Sequence, residues 1–151
     1  MAYSATRTDD AMAQAPIQSE VQTLSATGTV SGGQYKLKLD DQTTADIAYN
    51  AANGTILTAL NNLSNVESGD IVLSGGSLPT TPVVITFAAA LANENVPLIT
   101  VEAGTSPLSG GGSYGVALTT PGYGAEKLAF NAGIDTLGAL YDTHAAAFSA
   151  V

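Results

Sequence analysis

Alternation of apolar and polar residues predicts two strands near the start of the patterned part of the chain. Residues 21–30 (VQTLSATGTV) alternate loosely, and residues 34–39 (QYKLKL) alternate strictly. Gly32 and Gly33 separate the two stretches. Because glycine supplies the positive φ that tight turns require, we expect these strands to pair as a hairpin.

The same alternation continues into a third predicted strand. Within the second strand Tyr35, Leu37 and Leu39 face one side, which predicts a buried face. A turn at residues 40–42 follows, and residues 43–49 (TTADIAY) then predict another strand with its apolar residues on the inner face.

A short helix is predicted after this strand. Asn50 is a candidate N-cap, because its side chain can accept a hydrogen bond from a free backbone N–H. Ile56, Leu60 and Leu63 stand at helical spacing and form one apolar stripe. We expect the helix to end near Asn65.

The second half of the patterned region predicts four more strands. Glycine-rich and proline-containing stretches separate them, as expected of turns and loops. Residues 89–95 are predicted as a connection and residues 104–113 as a loop. The strands are predicted at residues 70–75, 82–88, 97–103 and 114–120.

The pattern changes again in the last 28 residues, 124–151, which predict a C-terminal helix. Six residues recur at spacings of 4, 3, 4, 3 and 4, which is typical of a heptad-like seam. This seam either docks on the chain's own sheet or contacts another copy or a partner shell. In the second case its residues are the candidate partner interface: Phe130, Ile134, Leu137, Tyr141, His144 and Phe148.

These patterns together predict an α+β protein. Residues 1–19 lack a clear period and are expected to be an extended N-terminal arm, either an unstructured terminus or one ordered on a partner. Residues 20–121 are expected to form a small antiparallel, β-sandwich-like domain with one short helix. Residues 122–151 are expected to form the C-terminal helix.

Composition narrows the classes of function. Of the 151 residues 45% are hydrophobic and 11% charged, which fits a globular chain. Four basic residues against thirteen acidic ones give a net charge of -9, which disfavours binding to nucleic acid or to an anionic membrane. We find neither a signal peptide nor an apolar run of membrane-spanning length, and expect synthesis in the cytoplasm.

Candidate catalytic and metal-binding groups are few. The absence of cysteine excludes disulfides and thiolate sites, and the single histidine, His144, lies on the apolar seam. Asp40, Asp41, Asp46 and Asp70 raise the possibility of calcium binding. They lack the glycine and terminal glutamate of a calcium-binding loop, so solvated turn carboxylates are the favoured interpretation. We expect no enzyme activity, no metal and no cofactor.

Residues 21–103 resemble a β-rich module of tailed-bacteriophage structural proteins, particularly those of phages that infect actinobacteria. The resemblance is carried by SGGQYKLKLDDQTTADIAYNA, ILTALNNLSNV and SGDIVLSGGSLPTTPVVITFAAALANENVPLITV. It implies a virion structural protein, and it offers no catalytic residues to transfer. The arm and the C-terminal helix lie outside it.

The resemblance implies a capsid decoration or stabilising (cement) protein on the outer surface of the capsid shell. The expected partners are the major capsid protein and further copies of the chain, with a trimer as one possible state. Alternatives are a phage tail or adsorption subunit, or a glycan-binding surface module. For the last, stacking surfaces could come from Tyr35, Tyr49, Tyr114 and Tyr123, although the chain has no tryptophan.

Overall fold

The computed structural model describes residues 18–123, which form a β-rich domain with one short α-helix. The rest of the predicted arm and C-terminal helix lies outside the described residues. In chain order the elements are β1 (Val21–Thr27), β2 (Gln34–Leu39), β3 (Gln42–Thr43), β4 (Ile47–Ala48), α1 (Asn53–Asn61), β5 (Ile71–Gly75), β6 (Val83–Phe87), a 3-10 helix (Ala89–Leu91), β7 (Thr100–Ala103) and β8 (Ser113–Thr120).

The strands form two antiparallel sheets. The first sheet has the order β5-β6-β1-β8. In the second sheet β2 is central, with β7 along one side and the short strands β3 and β4 along the other. The antiparallel β-rich architecture with one short helix is therefore confirmed.

Alternate residues of both sheets point into one shared core, as the period of two predicts. The rings of Tyr35 in β2 and Tyr114 in β8 meet edge to face, with centroids 4.8 Å apart, and join the two sheets. Each fully buried aliphatic or aromatic side chain contributes about 1.5–3 kcal/mol relative to exposure. The inward residues of β2 and β6 are at most 2% exposed: Tyr35, Leu37, Leu39, Val83, Ile85 and Phe87.

The predicted hairpin between the first two strands is wrong. β1 pairs with β6 and β8 in the first sheet, whereas β2 belongs to the second sheet. Gly32 and Gly33 instead carry the chain from one sheet to the other against the loop at Ser109, with which Gly32 forms an isolated bridge. Gly33 has φ +92°, and a Cβ there would lie 2.7 Å from the Cα of Leu108. Glycine is therefore required for this crossing rather than for a hairpin turn.

The predicted third strand is interrupted. Of residues 42–49 only β3 and β4 pair with β2, and Thr44 lies between them. The Leu37 N–H donates to the Thr44 hydroxyl (3.0 Å), and the Thr44 N–H donates to the Leu37 carbonyl (2.9 Å). The Thr44 hydroxyl thus takes the place of a backbone carbonyl as the acceptor in the pairing, and the predicted strand is divided at this residue.

The helix follows its apolar stripe but not its predicted cap. Ile56, Leu60 and Leu63 are buried, as predicted. The N-cap residue is Ala52, without a side-chain cap, so the prediction of Asn50 is wrong. The helix ends at Asn61, four residues earlier than expected, and the Asn65 amide instead donates to the Leu39 carbonyl (3.1 Å).

The strand predicted to start at Pro97 begins three residues later, at Thr100. The preceding backbone is bound by side chains of the first sheet rather than by a neighbouring strand. Gln22 accepts a hydrogen bond from the Ile99 N–H (2.9 Å) and donates one to the Pro97 carbonyl (3.2 Å). These bonds hold the segment over the sheet without making it part of a ladder.

Candidate interaction surface

The two ends of the described domain meet at one place. Gln18 and Tyr123 form an antiparallel bridge, in which the Tyr123 N–H donates to the Gln18 carbonyl (2.8 Å) and the Gln18 N–H donates to the Tyr123 carbonyl (3.3 Å). This bridge extends the β1–β8 pairing beyond the strand ends. Residues 1–17 and 124–151 therefore join the domain side by side.

The six seam residues that the sequence singles out lie outside the described residues, so their role stays a prediction. The structure does show where their segment attaches. Tyr123, the last described residue, is half-buried and fixed by the bridge to Gln18. The seam segment thus starts from a defined point at the end of the first sheet.

Two exposed leucines lie at this same end. Leu118 in β8 stands opposite Gln22 and is 50% exposed. Leu98 is 47% exposed and lies between the two residues whose backbones Gln22 binds. Both leucines are thus next to Gln22, and exposed apolar side chains grouped in one region are typical of contact surfaces. We call the region formed by Gln18, Leu98, Leu118 and Tyr123 the exit surface.

A buried polar pair holds the exit surface together. Glu20 is 1% and Gln22 0% exposed, and the Gln22 amide donates to the Glu20 carboxylate (2.6 Å). The other carboxylate oxygen accepts from the Val96 N–H (3.0 Å). Buried polar groups persist when they are hydrogen-bonded in this way. The pair therefore fixes residues 96–99 onto β1.

Sequence reasoning missed this pair, although a signal was present. Glu20 and Gln22 continue the same period of two that places Leu24 inward. Extending that alternation backwards would have placed both polar side chains on the buried face. Polar residues in phase with a buried stripe indicate either an error of register or a bonded internal group.

Two of the four carboxylates considered for calcium have structural partners instead. Asp70 accepts hydrogen bonds from the Glu67 and Ala90 N–H groups (2.8 and 2.9 Å) and so ties two loops together. Asp46 accepts from the N–H and hydroxyl of Thr105 (3.0 and 2.5 Å). These two bonds, and secondarily Lys36, lower the pKa of Asp46 below its usual value. Within residues 18–123 no three potential ligands come together as a metal site.

Two of the four tyrosines considered for glycan stacking are core residues. Tyr35 is 0% and Tyr114 7% exposed. The Tyr114 hydroxyl donates to the Tyr49 carbonyl (2.5 Å), whereas the buried Tyr35 hydroxyl has no hydrogen-bond partner among the described residues. Burial raises the pKa of Tyr35 well above its usual range. Neither ring is available to a ligand, which weakens the glycan alternative.

A shallow groove of about 530 Å³ runs beside α1. Its walls contain no titratable side chain, so the groove offers no general acid, general base or nucleophile of ionisable type. It is lined by Ala45, Ala52, Gly54, Thr55, Thr58, Ala59 and Asn62. Separately, no helix in the described part of the chain is long and apolar enough to cross a membrane.

The chain is similar to proteins of mycobacteriophages. No protein-family model matches the chain. The chain is 33% identical over 86 residues to the tail sheath protein of Mycobacterium phage Bxz1. The match covers 57% of this chain but only 14% of that protein. The expected resemblance to a phage structural protein is therefore confirmed at this level, whereas a capsid decoration role is not.

A solved structure from Mycobacterium phage Patience has a similar fold. The TM-score is 0.50 with 17% sequence identity, and the similarity covers 70% of this chain and 38% of that chain. Both matched phage proteins are thus longer than the part that they share with this chain.

Proposed function

We propose that this chain is a non-enzymatic structural subunit of a tailed-phage particle. The observation that carries the proposal is the 33% identity over 86 residues with a mycobacteriophage tail sheath protein. The fold shared with a second mycobacteriophage chain supports it. Because the match spans only 14% of the sheath protein, the shared part is best understood as a module carried by different virion proteins.

In its finer form, the proposal places the chain on the outer surface of the capsid as a decoration protein that binds the major capsid protein. The exit surface, with Leu98 and Leu118, faces the shell, and the segments that leave beside it reach neighbouring subunits. Burial of apolar area across such joints favours the assembled shell over its parts. Many weak contacts then act together through multivalency.

The proposed contact residues of the C-terminal segment are the seam residues Phe130, Ile134, Leu137, Tyr141, His144 and Phe148. Leu137→Asp places a charge in the middle of the seam and should abolish assembly or particle binding while the β-rich domain stays folded. Thr136→Asp adds the same charge one position off the seam and should bind normally. Normal binding by Leu137→Asp in a particle-sedimentation assay would remove the seam from the contact.

A tail subunit is the second candidate, and the sheath protein match favours it directly. A subunit of the tail would use the same exit surface against a tail protein instead of the capsid. The two locations differ in where the chain is found on the particle, so imaging separates them.

Immunogold electron microscopy of intact particles tests the location. Antibodies raised against residues 18–123 should label the whole head if the chain decorates the capsid. Labelling along the tail would move the chain to the second candidate. Intact particles without any label, alongside labelled purified protein as the positive control, would overturn the virion proposal.

A further inference from the structure

The outward side chains of the first sheet carry no charge. Every one of them in β1, β5, β6 and β8 is Val, Ala, Gly, Ser or Thr. The register brings Val21 and Val72 to either side of Thr86, and Val84 beside Thr23. We call this surface the neutral face. Val72 on it is 52% exposed.

The outward face of the second sheet has the opposite character. Lys36 in β2 stands opposite Glu102 in β7. The Lys38 ammonium lies 4.0 Å from the Glu102 carboxylate, and the Lys36 ammonium lies 3.9 Å from the Asp46 carboxylate. Exposed ion pairs of this kind are typical of a solvated surface. The charges of the domain are thus kept off the neutral face.

This segregation matters because the whole chain carries a net charge of -9. Copies of so acidic a protein repel one another wherever charged surfaces approach. An uncharged face of four strands is a surface on which another copy can lie without this cost. Charge therefore favours the neutral face as the place where copies meet.

Direct stacking of two neutral faces would be a weak contact. The four strands have 7, 5, 5 and 8 residues, and at about 4.8 Å spacing they cover roughly 400 Å². Two such faces bury roughly 800 Å² in total, less than the about 1,000 Å² expected of a specific interface. An element of similar length with larger apolar side chains is a better occupant of this face.

The seam of residues 130–148 has matching dimensions and chemistry. As a helix it would be about 27 Å long at 1.5 Å per residue. β1 and β8, with 7 and 8 residues, are about 23–26 Å long at 3.3 Å per residue. The seam side chains are apolar or aromatic apart from one histidine, so they suit an uncharged surface of Val and Thr side chains.

The direction of β8 decides between the chain's own face and that of a neighbour. β8 runs towards Tyr123, and the bridge to Gln18 carries the chain beyond the end of the first sheet. Tyr123, the last described residue, therefore lies beyond the end of the chain's own neutral face. Packing on that face would require the chain to reverse within residues 124–129.

We propose that the neutral face binds the seam of residues 130–148 from a second copy of the chain. This inference deepens the proposed function. It rests on that function in one respect, because it requires that copies of the chain assemble. The contact joins two different surfaces, a segment of one copy and a face of the next. Repetition of such a contact closes into a ring or continues along a lattice.

Cysteine cross-linking tests the contact cleanly, because the native chain has no cysteine. Val84→Cys on the neutral face and Leu137→Cys in the seam are prepared as separate proteins, one with a size tag, then mixed and oxidised. We expect a mixed dimer on a non-reducing gel. Lys36→Cys, on the outward face of the second sheet, replaces Val84→Cys in the matched control and should give no mixed dimer. Thr23→Cys provides a second face position in case Val84→Cys disturbs the fold.

Two outcomes would overturn the inference. If a Val84→Cys/Leu137→Cys double variant forms a bond within one chain and the mixture gives no dimer, the seam covers its own sheet. If neither sample cross-links, the neutral face serves a different partner. In both cases labelled particles in the immunogold experiment would leave the proposed function intact.

A charge on the neutral face gives an independent readout. Thr86→Lys should weaken self-association, measured by analytical ultracentrifugation, roughly tenfold or more, because the lysine would be buried without a partner. Thr100→Lys adds the same charge to the outward face of the second sheet and should leave association unchanged. Equal association of both variants would contradict the proposed contact.

Discussion

Replacement of Gln22 by leucine tests whether the buried polar pair holds the exit surface. Gln22 is fully buried, and its amide connects the Glu20 carboxylate, the Pro97 carbonyl and the Ile99 N–H. Leucine fills nearly the same volume but can make none of these bonds. The substitution therefore removes the polar connection without leaving a large cavity.

The cost follows from the groups that lose their partner. One buried oxygen of Glu20 and the buried N–H of Ile99 are left without the Gln22 bond. Each unsatisfied buried group costs about 1–3 kcal/mol, and a charged one costs more. The apolar leucine offsets about 1 kcal/mol of this by its own burial. We expect a net loss of about 2–4 kcal/mol, out of the about 5–15 kcal/mol that stabilises an ordinary domain.

Equilibrium urea unfolding followed by circular dichroism measures this loss. With a slope of about 2 kcal/mol per molar urea, the midpoint should fall by roughly 1–2 M. Thr23→Leu is the matched control, because the Thr23 hydroxyl bonds only the exposed Thr119 hydroxyl (2.6 Å). It should change stability by about 0.5 kcal/mol or less. Equal midpoints for Gln22→Leu and Thr23→Leu would show that the hydrogen bonds of Gln22 do not stabilise the domain.

Three further predictions use the same unfolding assay. Gly33→Ala should destabilise the domain by about 2 kcal/mol or more, because φ at Gly33 is positive and backbone atoms crowd the new Cβ. Gly54→Ala has open space around the new Cβ in α1 and should stabilise the domain by up to about 1 kcal/mol. Changes of the same sign for both variants would contradict this prediction. Tyr114→Phe removes the hydrogen bond to the Tyr49 carbonyl and should lower the free energy of unfolding by about 1 kcal/mol or more. Tyr35→Phe removes a hydroxyl that has no partner among the described residues and should leave stability unchanged or raise it. A larger loss for Tyr35→Phe than for Tyr114→Phe would contradict these hydrogen-bond assignments. The pKa of Asp46 is lower in the folded chain than its ordinary value of 3.8, so its ionised carboxylate stabilises the fold above that value, and this stability is lost as the pH falls through the folded pKa. Asp46→Asn should therefore lose less stability than the native chain between about pH 5 and about pH 3. Equal losses for the two proteins would contradict this prediction.

Periodicity could predict the elements of this fold because the spacing of apolar residues determines which side chains of a strand or helix are buried. β2 and β6 bury the side chains that the alternation selects, and α1 buries Ile56, Leu60 and Leu63. These assignments depend on local spacing alone. They hold whichever strands eventually pair.

Pairing and termination depend on distant residues, which local patterns do not contain. The Gly32–Gly33 signal is real, but the chain uses it to change sheets because β1 finds its partners in β6 and β8. The late start of β7 reflects side chains of β1 that bind its preceding backbone. Neither outcome could follow from the spacing around the residues concerned.

The candidate contact was only partly accessible from sequence. The heptad-like seam could be identified from spacing, but the place where its segment leaves the domain required the Gln18–Tyr123 bridge. The neutral face required the strand order, since Val21, Val72 and Val84 come from three separate stretches of sequence. A surface shared by non-consecutive strands is visible only after the fold is known.

The copy number of this chain in purified phage particles decides whether it is a structural subunit of the virion. Quantitative mass spectrometry of purified particles would compare the chain with the major capsid protein and the tail proteins. A structural subunit should stand in a simple ratio to one of these lattice-forming proteins, and to the major capsid protein if the chain decorates the shell. Absence of the chain from purified particles would show that it is not a virion subunit.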